Sequence, residues 1–185
     1  MFGQAVEDKR REIERGMRAL GDRLESRDES ELLLWVIPHE LACVHRPLRH
    51  HPDYGGSGAP IPSAAKPLIL EWIDWLHVEG IASIISFMHD RDLGCYREID
   101  FDGGTLLEAL EQHGFQVCRL PWEDPAHSKT DPTLKQRRLL EMCGKALRAF
   151  NRLPKPVVLV CSAGRDRSAP AAAYILESLR ARRPI

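Results

Sequence analysis

The sequence lacks both a long apolar run and a surplus of charge. Its 26 basic and 27 acidic side chains leave a formal charge of −1 over 185 residues, which gives no support for attraction to nucleic acids or membranes through bulk charge. The N-terminus has no apolar signal core, and the longest apolar runs are too short to span a bilayer. We therefore predict a cytoplasmic protein with no membrane span and no nucleic-acid partner.

Disulfide frameworks and metal-binding motifs are also missing. The five cysteines are scattered and odd in number, which predicts a reducing compartment rather than a set of disulfides. His45, His50 and His51 have no cysteine or carboxylate at a recognisable metal spacing, so we predict neither a metal nor a cofactor. The apolar fraction of 43% is that of an ordinary globular protein.

Strand-like and helix-like segments alternate along most of the chain. This alternation predicts an α/β fold in three layers, with a mostly parallel central sheet flanked by helices. A loop rich in His, Pro and Gly is predicted over residues 38–63, on the surface and able to border a functional site. The predicted strands are residues 32–37, 81–87, 115–120 and 157–160; the predicted helices are residues 64–78 and 105–114, one beginning at 132, and one following 168.

Local signals predict where several helices begin or end. Thr105 and Glu108 have the spacing of a capping box. Asp131 stands before Pro132 as an N-cap followed by a first-position proline. Gly80 is placed to end the helix before it.

The first 29 residues differ from the rest because they are dense in Glu, Asp and Arg. Apolar residues recur among them at helical spacing, which predicts a charged helical arm ahead of a catalytic domain at residues 30–185. We favour a helix laid against the domain over a dimerisation or partner arm. Gly16 and Gly21 weaken the case for one long uninterrupted helix. The apolar stripe consists of Val6, Ile13, Met17, Leu20 and Leu24.

The most informative segment runs from Val157 to Ser168. Its β-branched start predicts a buried parallel strand, and the alanine-rich chain after Ser168 predicts a helix, with Pro170 tolerated in the first turn. A loop ahead of a helix N-terminus aims several backbone N–H groups at one point, and the helix dipole adds positive potential there. We therefore predict a phosphate-binding loop between this strand and this helix.

The side chains of this segment supply the remaining parts of a phosphate-transfer site. The positive potential favours the thiolate form of Cys161, Arg167 offers a planar fork for two phosphate oxygens, and Gly164 lets the loop turn. Ser168 could hydrogen-bond the sulfur and help it leave a phosphocysteine. Arg165 either meets a second negative group on the substrate or is solvated. The predicted substrate-binding residues are Ser162, Ala163, Gly164, Arg165 and Asp166.

Spacing alone does not identify the loop, since Cys43 also precedes an arginine, Arg49, after five intervening residues. That segment has no glycine, no Ser or Thr after the arginine, and no alanine-rich helix. The combination of strand, glycine, Arg-Ser pair and helix therefore selects Cys161 alone.

The run Cys161-Ser162-Ala163-Gly164-Arg165-Asp166-Arg167-Ser168 resembles the signature loop of the cysteine-dependent protein tyrosine and dual-specificity phosphatases. The resemblance implies a two-step reaction through a phosphocysteine without a metal, on a phosphorylated protein or a small phosphomonoester. It also implies that phosphate, sulfate or vanadate occupies the loop. The similarity extends back to about Glu31 and departs at Val160, where many family members carry a histidine.

A leaving alkoxide or phenolate also needs a proton from a carboxylic acid on a loop. The segment 121–131 resembles the general-acid loop of the family. We favour Asp124, which stands at the exit of a predicted strand, over Asp131, whose N-cap position directs its carboxylate at backbone amides; Glu123 ranks third.

The sequence thus predicts a cysteine-dependent phosphomonoester hydrolase. The alternatives are a catalytically weak pseudophosphatase that binds phosphate, a phosphatase of non-protein substrates such as phosphoinositides, and a sulfurtransferase of rhodanese type. The Arg167-Ser168 pair and the candidate acid loop argue against the sulfurtransferase.

Overall fold

A five-stranded sheet lies at the centre of the fold, for which a computed structural model describes residues 2–125 and 131–182. The strand order is β1-β2-β5-β3-β4. Strand β1 pairs antiparallel with β2, and every other pair is parallel, so the predicted mostly parallel sheet is confirmed. The strands are β1 Leu33–Ile37, β2 Leu41–His45, β3 Ser83–Ser86, β4 Gln116–Arg119 and β5 Val157–Cys161.

Helices flank the sheet and cover two hydrophobic cores. Alternate side chains of β5 enter different cores, because successive residues of a strand point to opposite faces: Leu159 packs with residues of α1, α5 and α6, and Val158 with residues of α2 and α4. The helices are α1 Gln4–Glu25, α2 Lys66–Val78, α3 Asp90–Leu93, α4 Leu106–Gln112, α5 Pro132–Arg152 and α6 Ser168–Arg180, with 3₁₀ turns at Ser63–Ala65 and Gly94–Tyr96.

The predicted helix ends are confirmed by their hydrogen bonds. The Thr105 amide donates to Glu108 Oε2 at 2.6 Å, and the Glu108 amide donates to Thr105 Oγ1 at 3.4 Å. Asp131 caps α5, accepting at Oδ1 from the amides of the second and third helical residues at 2.8 and 3.2 Å. Gly80 follows α2 with a φ of +74°, a left-handed conformation that glycine adopts at little cost.

Strand β2 corrects the prediction of a loop over the whole of residues 38–63. Its five residues are all buried, and it pairs with β5 from Leu41↔Val157 to His45↔Cys161. The strand is short and lies between Pro38 and Pro47, with no period-2 alternation to mark it. The structure therefore places a second chain segment directly beside the strand that ends at Cys161.

Helix α1 runs unbroken from Gln4 to Glu25 despite its two glycines. A Cβ added to Gly16 would lie 2.7 Å from Leu34 Cδ2, and one added to Gly21 would lie 2.9 Å from His50 Cε1. The glycines therefore mark close approaches of β1 and of the chain after β2 to the helix. Helix α1 packs on α6 and β1, so it lies against the domain. Across the described residues, no helix combines the length and apolar character needed to cross a membrane.

Candidate active site

Cys161 ends β5, the middle strand of the sheet, and only 2% of its surface is exposed. Residues 162–167, which we call the β5–α6 loop, connect it to α6, whose first residue is Ser168. The predicted succession of strand, short loop and helix is therefore present at this cysteine. Within the loop Ser162 and Ala163 are buried, Arg165 is half-buried and Asp166 is exposed.

Gly164 is the turning point of the β5–α6 loop, with a φ of +66°. A Cβ at this position would also collide with the side chain of Met17 on α1. Both the backbone conformation and the space around it therefore require glycine, and α1 supports the loop from behind.

Arg167 is 1% exposed, and its guanidinium is held by the ends of two neighbouring strands. Its Nη1 donates to the carbonyls of Phe87 and Trp122 at 3.1 and 3.0 Å. The carboxylate of Asp92 accepts from Nη1 at 2.5 Å and from Nη2 at 3.2 Å. Among the described residues no group accepts from the buried Nε, and Nη2 keeps one of its two N–H groups because only Asp92 accepts from it.

Asp92 is the site residue that sequence reasoning missed. It lies on α3, where it also accepts from the His89 amide at 2.9 Å. Burial opposes the ionisation of Asp92, but the hydrogen bonds and charge of Arg167 outweigh it and hold the pKa of Asp92 below its ordinary value. The available signal was position: Asp92 follows the carboxyl end of β3, the edge at which open α/β sheets bind ligands.

Asp124 lies close to Arg167, whereas Asp131 lies at the N-terminus of α5. The Asp124 Oδ2 atom is 3.9 Å from Arg167 Nη2, and a quarter of its side chain is exposed. Asp124, Glu123, Asp92 and Ser162 line one pocket, so the favoured acid faces the loop, whereas Asp131 is engaged as the cap of α5. Residues 126–130 of the predicted acid segment lie outside the described residues.

Val160 directly precedes Cys161 in the sequence, and Ser168 directly follows the β5–α6 loop. Ser168 is fully buried, and its hydroxyl has no hydrogen-bond partner in the described part of the chain. It is therefore free to donate to an acceptor in the loop. Val160 is buried in the core under α2, on the other face of the sheet from Cys161.

A histidine does lie beside Cys161, although in space rather than in sequence. His45 ends β2 in register with Cys161 and is almost completely buried. Burial, aided by nearby His50 and Arg49, lowers the pKa of His45 to about 3, so its ring is neutral at physiological pH. Because β2 was not predicted, this register could not be foreseen.

Cys43, the other cysteine that precedes an arginine, has a different environment. It is fully buried inside β2 opposite Leu159, and burial, with a smaller contribution from Cys161, raises the pKa of its thiol. Within residues 2–125 and 131–182, no three His, Cys, Asp or Glu side chains are grouped closely enough to hold a metal ion.

Comparison with known protein families finds no family model that matches the chain, and no curated protein matches it either. The site is therefore interpreted from its own residues.

Proposed function

We propose that the protein is a cysteine-dependent phosphomonoester hydrolase that works through a phosphocysteine. The observation that carries this proposal is the meeting of three groups at the carboxyl edge of the sheet. Cys161 ends the central strand before α6, Arg167 is buried beside it in the same loop, and Asp124 lies 3.9 Å from that arginine.

In the first step the Cys161 thiolate attacks phosphorus, so that an S–P bond forms as the P–O bond to the leaving group breaks. Asp124, in its acid form, gives its proton to the leaving oxygen. The backbone amides of the β5–α6 loop and Arg167 Nε stabilise the equatorial phosphoryl oxygens, whose charge grows in the transition state.

In the second step water attacks the phosphocysteine and the S–P bond breaks. The Asp124 carboxylate takes a proton from that water, which returns Asp124 to its acid form. The buried Ser168 hydroxyl donates a hydrogen bond to the departing sulfur. Inorganic phosphate and the Cys161 thiolate are the products, and no external oxidant or metal takes part.

Asp92 serves this chemistry as a positioning residue. Its two oxygens and the carbonyls of Phe87 and Trp122 fix both terminal nitrogens of Arg167. The guanidinium therefore presents its Nε edge in one orientation, and such preorganisation spares reorganisation during the reaction.

The same ion pair favours a second candidate, a phosphate-binding protein with little turnover. Asp92 neutralises the charge of Arg167 and occupies the Nη1–Nη2 edge, one of the guanidinium edges that could make a bidentate phosphate contact. In that case phosphate would be held mainly by the loop amides and the dipole of α6.

The test is hydrolysis of p-nitrophenyl phosphate in the presence of EDTA, comparing the wild type with Cys161→Ser and with the control Cys118→Ser, a half-buried cysteine on β4. We expect turnover that Cys118→Ser retains and Cys161→Ser loses. If no variant turns over, but phosphate still protects Cys161 from alkylation, the protein is a binding module. If no phosphate is released and added phosphate does not protect Cys161 from alkylation, both proposed functions are wrong.

A further inference from the structure

A second cavity lies between the end of α1, the chain after β2, and α2. It shares no lining residue with the pocket of Asp92 and Asp124. Its volume is about 200 Å³, somewhat more than the roughly 150 Å³ of an apolar cavity known to bind benzene, so it has room for a small organic ligand. The cavity takes no part in the reaction proposed above.

Its polar lining contains an unusual share of the buried nitrogens that lack a partner. Nine buried side-chain nitrogen and oxygen atoms of the described residues have no hydrogen-bond partner, and five of them belong to residues that line this cavity. A buried polar group without a partner destabilises the fold, so in native proteins such groups are normally satisfied by a protein group, a water or a ligand. The five atoms are Nδ1 and Nε2 of His45, Nε of Arg46, Nε of Arg49 and Nε2 of His50.

Arg49 gives the cavity its charge. Its side chain is half-buried and forms no salt bridge or hydrogen bond within the described ranges. Burial, together with the positive charges of Arg46 and Arg165, lowers the pKa of Arg49. Glu25 is the acidic group that acts on it, but that carboxylate is paired with His50 Nδ1 at 2.7 Å. Like charges gathered in a partly desolvated place attract an anion strongly, because screening there is weak.

The opposite wall of the cavity is apolar. Helix α2 contributes Leu68, Trp72 and Trp75, and α1 contributes Leu24. Two carboxylates, Glu29 and Glu71, also line the cavity, but both are exposed and so stand in solvent, where their fields are screened. The inner part therefore combines the charge of Arg49 with aromatic and aliphatic surface.

We propose that this cavity is a binding site for an amphipathic anion. The acidic group of the ligand is held by Arg49, and its apolar body lies against Trp72 and Trp75. This site is independent of the proposed phosphatase activity.

The test measures the binding of decanoate by isothermal titration calorimetry. Acetate, which has the carboxylate without the alkyl chain, and decanol, which has the alkyl chain without the charge, serve as comparison ligands. We expect the wild type to bind one decanoate, and to bind acetate and decanol at least about tenfold more weakly, since each lacks one set of contacts. Arg49→Gln should weaken decanoate binding by about tenfold or more. Arg165→Gln removes an arginine whose charge acts on Arg49 but which does not line the cavity, so it should weaken decanoate binding clearly less than Arg49→Gln does.

Trp75→Ala provides a second variant, because it leaves the charges intact. It should weaken decanoate binding while leaving the weak binding of acetate unchanged. Equal affinity for decanoate and decanol, or a loss in Arg165→Gln as large as in Arg49→Gln, would overturn the proposal. The first result would mean an apolar pocket without anion recognition, and the second would place the probe at the β5–α6 loop. Absence of binding by the folded wild type would overturn it as well.

Discussion

Cys161 and Cys43 lie on adjacent parallel strands, and each precedes an arginine after five intervening residues, yet their surroundings differ. Cys161 is the last residue of β5 and opens into a loop before α6. Cys43 lies in the middle of β2, which continues to His45 before the chain turns toward Arg49. A cysteine is a candidate nucleophile where a strand ends ahead of a loop and a helix N-terminus. The same residue inside a strand is part of the core.

The largest expected difference is between the two cysteines themselves. Cys161→Ser should reduce p-nitrophenyl phosphate hydrolysis to the background rate, because the attacking sulfur is lost. Cys43→Ala should retain turnover and lose only stability, since it removes one buried sulfur from a packed core. Steady-state kinetics and thermal unfolding of both variants measure this. Comparable activity in the two would show that position at the strand end does not define the nucleophile.

The second difference is Asp124, the candidate general acid, whose carboxylate lies 3.9 Å from the arginine that follows Cys161. Asp124→Asn should lower kcat by roughly 10²- to 10⁴-fold, the usual contribution of a general acid. Asp131→Asn is the matched control: asparagine is as good an N-cap as aspartate, so kcat and stability should stay unchanged. A larger loss in Asp131→Asn than in Asp124→Asn would reverse the assignment.

The third difference concerns the two arginines, since the buried Arg167 has a half-buried carboxylate partner, Asp92, and Arg49 has none among the described residues. Asp92→Asn should destabilise the fold by about 3–5 kcal/mol, the usual cost of removing one partner from a buried ion pair. Asp90→Asn breaks the exposed pair with Arg119 and should cost no more than about 1 kcal/mol. Urea unfolding at pH 7 measures both.

The difference in unfolding free energy between the wild type and Asp92→Asn should depend on pH, and it should become smaller as the pH falls. The pKa of Asp92 is lower in the folded state than the unfolded value of about 3.9, so its stabilising effect is complete well above pH 4. It is lost as the pH falls through the folded-state pKa. The stability gap between wild type and Asp92→Asn should therefore narrow below about pH 4. A gap that is constant down to pH 2 would contradict the ion-pair assignment.

The smallest effect concerns the glycine that lets the chain turn after Cys161. Gly80→Ala places alanine at a φ of +74° with nothing within 4 Å, which should cost about 1–2 kcal/mol. Gly164→Ala at +66° adds the collision with Met17 and should cost a further 1–3 kcal/mol or so. In a Met17→Ala background the cost of Gly164→Ala should fall to that of Gly80→Ala. Denaturant titrations of the four variants check this, and an unchanged cost would mean that Met17 does not restrict the loop.

Features encoded by neighbouring residues were predictable from the sequence. The strand ending at Cys161, the helix beginning at Ser168, and the caps at Thr105 and Asp131 each follow from a few adjacent side chains, and all are present. The mostly parallel sheet followed from the alternation of such segments.

Features that depend on distant parts of the chain were not predictable. The pairing of Asp92 with Arg167 joins residues 75 positions apart, and no local pattern marks Asp92 as different from Asp90. Strand β2 was missed because its strand character comes from burial between β1 and β5. The glycines of α1 were judged by helix propensity, whereas the contacts of Leu34 and His50 decide their role.

The contact between Met17 and Gly164 also has a consequence for the order in which the fold is completed. Among the described elements α1 leaves the ribosome first and α6 last, yet the two pack together, with the β5–α6 loop against α1. A nascent chain therefore cannot assemble the surroundings of Cys161 until α6 has emerged. During synthesis the Cys161 thiol is shielded by its neighbours only once α6 has emerged, and it is most exposed to oxidation before that point.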